Sequence, residues 1–364
     1  MILHFYLARR FLRSFLIVLA VFLAVLIPID LSEQLREIGR ADAELSAAMR
    51  LVMLDMPGAL YQLLPLFIIL ATLVMFLSLA RTSELVVIRA SGRSALRSAI
   101  SPVIVATLIG VFGLLVINPL VAATEREYEL SIARYQTGEE RTLSVSGDGL
   151  WLRQASRFGQ TVIRAERANG DGTSLFDASF FVFDRDGQVQ SRIDAREAVL
   201  SAGAWNLTDV KIWPLGEANP EAGATTQDSF TLASTLTRDQ IRDSFGRPST
   251  VPIYELPAFI AELRRAGFAA LQHRVWFMME LANPLLLAAM VLIGASFTMR
   301  HTRFGKTGVM VLLALLLGFG TYFLRNFAQV LGESGQLPAA VAALAPPLAA
   351  ILLSLTFLLH TEDG

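Results

Sequence analysis

Six long apolar stretches, three on each side of a polar block at residues 122–272, are the main feature of the hydropathy pattern. Each stretch is close to the roughly 20 residues that an α-helix needs to cross the hydrocarbon core of a bilayer. The first reaches that length when Leu12 and Leu31 are counted with it. The six stretches lie at 14–29, 58–80, 98–121, 274–299, 308–331 and 338–359. The pattern predicts an α-helical polytopic membrane protein with six transmembrane helices and one large domain inserted outside the membrane.

The order of these stretches divides the chain into three predicted regions. Residues 1–121 carry transmembrane helices 1–3, residues 122–272 form the extramembrane domain, and residues 273–364 carry helices 4–6. Three crossings place the domain on the side of the membrane opposite the N-terminus. Three more crossings bring the C-terminus back to the N-terminal side.

The polar block has the pattern of an all-β domain. Short runs rich in β-branched and aromatic residues are separated by turn sequences such as NGDG at 169–172. Many short strands with close turns predict a sandwich, a jelly roll or an open barrel. The apolar phase slips between Leu207 and Val210, which predicts a β-bulge there. The strand-like runs are 149–153, 160–166, 179–184, 189–193, 204–213 and 228–233.

Two amphipathic segments and a set of large aromatic residues complete this domain. Segments 122–137 and 253–272 are predicted helices that connect the β domain to the third and fourth crossings. The aromatic residues are expected mainly in the core of the domain rather than at a ligand. They are Trp151, Phe181, Phe183, Trp205 and Trp213.

The composition agrees with a membrane protein and excludes several classes of site. Apolar residues make up 54% of the chain and charged residues 17%, whereas a soluble domain carries about a quarter charged residues. The net charge of −1 provides no basic field for nucleic acid. The chain has no cysteine, and its four histidines show no metal-ligand spacing. We therefore expect no metal ion or other cofactor and no nucleic-acid partner.

The sequence also lacks a pattern for catalysis. Neither G-x-S-x-G nor H-E-x-x-H occurs, and the segment between His4 and His273 contains no histidine. Residues 305–307 (GKT) resemble the end of a P-loop, but Arg300 stands where the first glycine belongs and no strand precedes it. We expect that this chain is not an enzyme and that any ATP hydrolysis takes place on another chain.

The basic residues of the short loops predict the orientation in the membrane. The N-terminal segment, loop 81–97 and loop 300–306 carry three, four and three Lys or Arg residues, against the single acid Glu84. Loop 30–50 and the β domain, on the other side, are acidic on balance. Both termini are therefore expected in the cytoplasm. Because only two of the 31 basic residues are lysine, a bias typical of GC-rich bacterial genomes, we expect a bacterial inner membrane with the β domain in the periplasm.

Loop 81–97 on the cytoplasmic side contains a short helical pattern near residues 82–92. Ser83 is a candidate N-cap and Gly92 a candidate end. Two interpretations stay open: an interfacial helix that lies on the headgroups, or a coupling helix that docks in a groove of a cytoplasmic motor. In the second case, Glu84 is suited to pair with an arginine of the motor.

Two charged residues lie inside predicted crossings. Glu280 and Arg325 are each about two turns, or ~10 Å, from the outer end of their helices at a rise of ~1.5 Å per residue. An unpaired charge at such a depth is costly, and the matching depth predicts an intramembrane ion pair. Contact of Arg325 with a lipid phosphate or with a partner subunit is the alternative.

Three strings carry a resemblance to a known family. SELVVIRASG at 83–92, GLWLR at 149–153 and LANPLLLAAMVLIGASFTMR at 281–300 resemble the LptF/LptG lipopolysaccharide export permeases. The arrangement of three crossings, a β domain and three crossings is similar as well. The first two strings are more similar to the LptG branch than to the LptF branch.

The resemblance implies a fold and a set of partners. It implies a periplasmic β-jelly-roll-like domain and an ABC transporter in which one LptF-type and one LptG-type subunit sit on an LptB-type ATPase dimer. In such a transporter the membrane helices take lipopolysaccharide, a membrane lipid, from the outer leaflet of the inner membrane. The β domains then pass it to the LptC and LptA bridge.

The resemblance also implies roles for individual residues. Arg36 and Arg126 match basic positions that meet lipid phosphates. Asp30, Glu37 and Glu129 stand where some members carry basic residues, which favours a lipid with fewer phosphates or a bridging cation. The segment that matches the ATPase-coupling helix contains Ser83, Glu84, Leu85, Val86 and Arg89.

Two alternatives to this interpretation stay open. The first is an LptF-type paralogue or a permease for another lipid. The second is a membrane-anchored periplasmic binding protein without transport activity, which would need neither an apolar path through the β domain nor a docking helix.

Overall fold

The computed structural model describes most of the chain as two compact units. A helical unit comprises Met1–Gln136, Ser249–Tyr254 and Arg274–Gly364, and a β unit comprises Thr137–Pro248 and Glu255–His273. Basic loop 300–306 and part of loop 30–50 lie outside the described residues. The described residues are 2–38, 45–136, 143–146, 149–156, 159–169, 172–184, 187–201, 203–216, 219–234, 236–237, 241, 247–265, 268–299 and 307–363.

Within the part of the chain that the structure describes, six helices are long and apolar enough to cross a membrane, which confirms the six predicted crossings. The helices of the helical unit are α1 (Ile2–Ile38), α2 (Leu45–Gln62), α3 (Leu64–Arg81), α4 (Glu84–Ala90), α5 (Ala95–Phe112), α6 (Asn118–Gln136), α8 (Leu271–Thr298, which begins in the β unit), α9 (Thr307–Glu333) and α10 (Ala339–Asp363). The candidate spans are Ile2–Arg36, Leu64–Arg81, Ala95–Glu129, Leu271–Thr298, Thr307–Glu333 and Ala339–His360.

The second crossing begins later than the sequence pattern predicts. The predicted stretch 58–80 is interrupted at Leu63, so that α2 ends at Gln62 and the crossing itself is α3. Pro65 in the first turn of α3 is consistent with a helix start here, because proline has no N–H group to bond the preceding turn and is favoured at the first positions of a helix. The 18 residues Leu45–Gln62 thus form a separate helix, α2, that precedes the second crossing.

The third crossing contains a π-helical segment that the sequence pattern does not predict. Helix α5 continues through Gly113–Ile117 in π-helical geometry into α6. Such segments displace backbone carbonyl groups from their usual partners and occur frequently at functional sites. The Leu115 carbonyl accepts a hydrogen bond of 2.7 Å from the Tyr254 hydroxyl.

Helix α8 is the central element of the helical unit. In its most apolar window 72% of the residues are buried, against 17% for α1 and for α9, whose apolar side chains are largely exposed. Small residues allow its neighbours to approach closely. A Cβ atom added to Gly110 of α5 would lie 2.6 Å from Pro284 Cα, and one added to Gly294 would lie 2.8 Å from Thr72 Cγ2.

The β unit is a seven-stranded antiparallel sheet in which each strand pairs with its neighbours in sequence. This confirms the all-β prediction for the central block. The connectivity is a meander, closest to the predicted open barrel, because none of the described strands makes the Greek-key crossover that defines a jelly roll. The strands are β1 (Leu143–Ser146), β2 (Gly149–Ser156), β3 (Gly159–Ala168), β4 (Ser174–Phe183), β5 (Val189–Ser201), β6 (Ala204–Pro214) and β7 (Thr225–Ala233).

A row of charged residues crosses this sheet at a line where strand pairing is interrupted. In each of the four ladders from β3 to β7 one pair is missing, and the register is the same on both sides of the gap. Asp177 and Asp209 in this line have left-handed φ angles of 54° and 52°. We call the exposed residues of this line the charged row: Glu166, Asp177, Arg196, Asp209 and Asp228.

The charged row explains the phase slip that the sequence shows between Leu207 and Val210. Leu207 and Val210 are both buried, although a spacing of three residues would place them on opposite faces of a regular strand. Asp209, which lies between them, is exposed. The predicted β-bulge is wrong in one respect, because a bulge would shift β6 relative to β5 by one residue. Here β3, β4, β5 and β6 change phase at the same row, so no register shift results between β5 and β6.

One face of the sheet is the core of the β unit. Trp205 and Phe180 are fully buried there and meet edge to face, with ring centroids 6.1 Å apart. Helix α7 (Leu256–Arg265) packs on this face through Leu263, followed by Phe268. The segment predicted as an amphipathic helix at 253–272 is thus helical in its first half, and it covers the apolar face of the sheet.

The other face carries aromatic residues that the sequence pattern assigned to the core. Trp151, Phe181 and Trp213 are half-buried on strands whose neighbouring residues point into the core, so their placement in the core was wrong; Phe183 is also half-buried. Cations cover their rings instead. Arg192 lies 5.7 Å from the Phe181 centroid and 5.4 Å from that of Trp213. Such cation–π contacts let large rings remain at a surface.

Candidate functional sites: a clamped surface helix and a buried polar cluster

Helix α4 follows α3 after a tight turn at Ser83. Ser83 precedes the helix as predicted, but its side chain makes no capping bond. The reason is its left-handed backbone, with φ 61°, because a capping serine needs an extended conformation to reach the first N–H groups. At the other end, Gly92 has φ 77° and donates its N–H to the Arg89 carbonyl at 2.9 Å. The predicted helix near 82–92 is therefore present as Glu84–Ala90.

The Glu84 carboxylate is held by residues of its own chain. Arg10 Nη1 of α1 lies 2.8 Å from each carboxylate oxygen, and Thr82 Oγ1 donates to Oε1 at 2.9 Å. The Tyr6 hydroxyl donates to Oε2, and Arg10 Nη2 also donates to Ser78 Oγ at 3.0 Å. The bond from Tyr6, with those from Arg10 and Thr82, lowers the pKa of Glu84 below its ordinary value. Glu84 is thus a carboxylate anchored to α1 at neutral pH.

The remaining residues of α4 divide into an inner and an outer face. Leu85 and Ile88 are buried against the helical core, and Arg89 Nη2 donates to the Met299 carbonyl at the end of α8 at 2.7 Å. Val86 and Val87 are 58% and 69% exposed. The structure thus turns Leu85 and Arg89 of the predicted coupling segment inward and leaves Val86 outside, next to Val87, which the sequence reading did not single out.

The two basic residues assigned to lipid phosphate lie on helices that are joined near their ends. Arg36 in the last turn of α1 and Arg126 on α6 are both exposed, and within the described residues neither forms an ion pair. Gln34 links the two helices by donating to the Tyr128 hydroxyl at 2.9 Å and to Asp30 at 3.1 Å. Two accessible guanidinium groups in this region are chemically suited to an anionic headgroup. The side chain of Glu37 is outside the described residues, and Glu129 is half-buried.

Glu280 lies at the centre of a buried polar cluster in the helical unit. Its side chain accepts a hydrogen bond from the Tyr61 hydroxyl of α2, and Asn118 Nδ2 of α6 donates to Oε2 at 3.3 Å. The residue is 2% exposed. Asn118 is itself buried and accepts the backbone N–H of Ile253 through Oδ1 at 3.0 Å. The cluster therefore joins α8, α2 and α6 to the segment that returns from the β unit.

The predicted ion pair of Glu280 with Arg325 does not take the form of a direct contact. Arg325 acts on Glu280 electrostatically, but its Nη1 donates to the neighbouring Asn326 at 3.4 Å, and none of its nitrogens lies within 4.0 Å of a Glu280 carboxylate oxygen. Neutral donors on α2 and α6 reach the carboxylate instead. Equal depth in the membrane brings two residues to one level, whereas the rotation of each helix decides which side chains touch.

Several residues of these sites escape sequence reasoning. Tyr6 and Arg10 occupy positions one helical turn apart, which is the only hint that they act together. Tyr61 and Asn118 lie in apolar stretches, where a polar residue indicates a buried partner. That signal identifies candidates, but the partner emerges only from the packing.

Comparison with known proteins agrees with the resemblance seen in the three sequence strings. The family model described as the lipopolysaccharide export system permease LptF/LptG matches residues 5–360. The permease protein LptG of Haemophilus influenzae is 24% identical over 340 residues, covering 91% of this chain and 90% of the relative. The LptG protein of Escherichia coli K12 is 26% identical over 330 residues, covering 90% and 89%. A six-helix membrane unit with an inserted all-β unit and a match over nearly the whole chain lead to one conclusion: this protein is a member of the LptF/LptG family of lipopolysaccharide export permeases.

Proposed function

We propose that this chain is the LptG-type subunit of an ABC transporter that extracts lipopolysaccharide from the inner membrane. A separate LptB-type ATPase dimer supplies the energy, an LptF-type chain completes the membrane part, and LptC and LptA receive the lipid. The observation that carries the proposal is α4, a short surface helix anchored to α1 and α8 with an apolar pair, Val86 and Val87, turned outward. The runner-up is the LptF-type subunit, or a permease for another lipid.

The energetics of lipid extraction explain why such a chain needs a motor. Moving acyl chains into water costs about 0.8 kcal/mol per CH₂. Several tens of these groups in one molecule sum to tens of kcal/mol, so spontaneous escape is negligible. Conformational change driven by ATP and transmitted through a docking helix overcomes this barrier.

The orientation and the lipid contacts follow from charge. The excess of basic residues in the N-terminal segment and loop 81–97 supports cytoplasmic termini, with α4 on the cytoplasmic side and the β unit in the periplasm. In that orientation Arg36 and Arg126 lie on the periplasmic side of the membrane. Their exposed guanidinium groups suit phosphate, while Asp30 in the same region favours a cargo with few phosphates or a bridging cation.

Capture of the ATPase by the full chain tests the proposal. An LptB-type ATPase from the same genome is co-expressed with the LptF-type chain and with wild type, Val87→Asp or Val199→Asp. Val199 is a matched control, since it is an exposed valine on β5 in the other unit. A charge in an apolar contact is strongly unfavourable, so we expect Val87→Asp to retain about tenfold less ATPase than wild type. Equal capture by Val87→Asp and Val199→Asp would refute docking through this face.

The same experiment separates transport from the binding-protein alternative. A membrane-anchored periplasmic binding protein would capture no ATPase in any of the three forms. Retention of the ATPase by wild type and by Val199→Asp supports a transporter subunit.

A further inference from the structure

Two oxygen atoms near the C-terminal end of α1 are buried without a hydrogen-bond partner. They are Asp30 Oδ2 and Gln34 Oε1, and no donor among the described residues reaches either atom. Gln34 as a whole is only 2% exposed. A buried charge in a protein is normally paired or bound to a metal ion, because burying it alone is costly. The carboxylate and the amide therefore require a ligand that the described part of the chain does not provide.

The neighbours of Gln34 fix the orientation of its amide group. Nε2 lies 3.1 Å from Asp30 Oδ1 and 2.9 Å from the hydroxyl oxygen of Tyr128 on α6. A carboxylate oxygen only accepts hydrogen bonds, so the group that faces Oδ1 must be the NH₂ group of the amide. Rotating the amide by half a turn would bring two acceptors into contact. Gln34 Oε1 and Asp30 Oδ2 thus remain as two free acceptors on side chains one helical turn apart.

No basic residue of α1 is placed to neutralise Asp30. Residues three and four positions away share its face of the helix, and none of these four residues is basic. They are Leu26, Ile27, Glu33 and Gln34. Arg36 is rotated by about 240° from Asp30 at ~3.6 residues per turn, and its Nε donates to the Ser32 carbonyl at 3.3 Å. The charge of Asp30 is therefore not compensated along its own helix.

The neighbouring helices add negative charge around the site. Tyr128 of α6 packs with Leu31 of α1 and Leu51 of α2 in one small cluster. Within residues 30–36, 45–62 and 118–132 of these helices, the charged side chains that the structure describes are six acids and three bases. They are Asp30, Glu33, Asp55, Glu125, Glu127 and Glu129, against Arg36, Arg50 and Arg126. Such a balance raises the local concentration of cations.

We propose that Asp30 and Gln34 form a binding site for a divalent cation, and that Ca²⁺ is the ion that fits it best. Ca²⁺ takes carboxylate oxygens and Gln carbonyl oxygens as ligands in a flexible geometry, whereas Mg²⁺ demands a near-ideal octahedron. Asp30 is half-buried, so an ion reaches the carboxylate from the surface of the helical unit. One carboxylate and one amide give no recognisable metal-binding spacing, which is why the sequence alone predicts no metal ion here.

The two side chains supply only part of a coordination shell. Ca²⁺ takes about six to eight oxygen ligands, so water or a phosphate oxygen must complete the shell. A bound Ca²⁺ also reverses the sign of the local charge, and Asp30 then attracts a phosphate that it would otherwise repel. In this second step, which rests on the proposed function, the phosphate belongs to the lipid cargo.

Direct binding of Ca²⁺ tests the site. The full chain is placed in phosphatidylcholine nanodiscs, and bound radioactive Ca²⁺ is measured by equilibrium dialysis. Asp30→Asn removes the charged ligand, and Gln34→Glu adds a second carboxylate at the other ligand position. Glu33→Gln is the matched control, because it removes the same charge from an exposed residue of the same helical turn. Within the described residues no group of three or more His, Asp or Glu side chains could hold a competing ion.

The four forms should differ in affinity. We expect wild type to bind one Ca²⁺ with a Kd of about 10⁻⁴–10⁻³ M, the range of weak extracellular sites. Because affinity follows the number of charged ligands, Asp30→Asn should bind about tenfold more weakly and Gln34→Glu about tenfold more tightly. Glu33→Gln should match wild type. Gln34→Glu decides the question if Asp30→Asn does not fold.

Three results would overturn the inference. The first is no Ca²⁺ bound by wild type, since water alone would then satisfy the two oxygen atoms. The second is an equal loss in Asp30→Asn and Glu33→Gln, which would indicate only a general attraction to surface charge. The third is an unchanged affinity in Gln34→Glu, which would exclude residue 34 as a ligand.

Retention of lipopolysaccharide separates this inference from the proposed function. The complex with the LptF-type chain is loaded with purified lipopolysaccharide in Ca²⁺ or in chelator. We expect chelator to reduce retention several-fold in wild type and in Glu33→Gln, and to have no effect in Asp30→Asn. Ca²⁺ bound with no lipopolysaccharide retained in either medium would refute the proposed function and leave the site intact. Retention that ignores chelator in wild type would refute the phosphate bridge and leave the proposed function intact.

Discussion

Glu280 shows how a single buried carboxylate organises the helical unit. The residue is almost fully inaccessible, and its hydrogen bonds come from a tyrosine on α2 and an amide on α6. Burying a charged or polar group is costly unless it is hydrogen-bonded. The cluster therefore fixes the relative rotation of three helices, because each must present one particular side chain to the same carboxylate.

Removal of the Tyr61 hydroxyl should destabilise the helical unit. Tyr61→Phe keeps the ring but removes one of the two donors to the buried Oε2 of Glu280 and leaves only Asn118, at a cost of about 1–3 kcal/mol in the free energy of unfolding. The matched control is Tyr322→Phe on α9, whose hydroxyl makes no hydrogen bond within the described residues. It should stay within about 0.5 kcal/mol of wild type. Denaturant unfolding of the full chain in detergent measures both, and equal effects would contradict a structural role for the Glu280 cluster.

Sequence alone identifies such residues better than it pairs them. Glu280, Arg325 and Glu84 stand out because a charge in an apolar stretch, or one acid among many bases, requires an explanation. Their contacts depend on helix rotation, which hydropathy does not encode. Sequence alone therefore predicts Arg325, at the same depth, as the partner of Glu280, and an arginine of the motor as the partner of Glu84. In the structure, Tyr61 and Asn118 bond to Glu280. Arg10 of the same chain bonds to Glu84.

At the scale of elements, the charged row is the feature that shapes the sheet. Asp177 in β4 and Asp209 in β6 have left-handed backbone at this row. Strands β3 and β5 change face at the same level, although Glu166 and Arg196 are not left-handed. Along β5 the buried residues before the row are at odd positions, Ile193 and Ala195, and the buried residue after it is at an even position, Ala198. The apolar face thus stays continuous, and exposed charges occupy the line of change.

A β-branched residue at Asp209 should weaken the β unit. Asp209 has φ 52°, and left-handed backbone costs about 1–2 kcal/mol for ordinary L-residues, whereas aspartate tolerates it better. We therefore expect Asp209→Val to lower the free energy of unfolding by about that amount. Its exposed ion pair with Arg196 contributes little, because solvent screens it.

Thr208→Val is the matched control for that change. Thr208 is exposed and precedes Asp209 in the same strand, in regular pairing with Ser229. Valine suits an extended strand, so this variant should be as stable as wild type. Denaturant unfolding of the full chain, followed by tryptophan fluorescence to which the buried Trp205 contributes, measures both variants. A similar loss in both would show that added apolar surface, not backbone strain, is responsible.

Local signals explain which elements the sequence predicts. The strands are bounded by glycine-rich turns, and the positive φ angles of Gly172, Gly187 and Gly203 match the turn sequences that separate the predicted runs. The slip between Leu207 and Val210 is visible in β6 alone. It becomes a row across the sheet only through the pairing of distant strands, which is why the sequence reading took it for a bulge.

At the scale of the whole molecule, hydropathy gives the six crossings and the inserted domain because both depend on composition over many residues. The boundary between the units is less visible. The segment 122–137, predicted as a connector of the β domain, continues the third crossing as α6 and belongs to the helical unit. The polar character of α6 therefore does not mark membership of the β unit.

The predicted orientation is open to a direct test, because the chain has no cysteine and any introduced thiol is unique. Gly216 follows β6 and Gly308 lies at the start of α9, and a Cβ atom added at either position meets no other atom within 4 Å. Both are thus tolerant sites of the same residue type. With the β unit in the periplasm, a membrane-impermeant maleimide should label Gly216→Cys in intact spheroplasts and Gly308→Cys only after lysis. Since the excess of arginine on one side sets the orientation, labelling in the reverse order would place α4 in the periplasm, away from ATP, and the proposal of a cytoplasmic motor would fail with it.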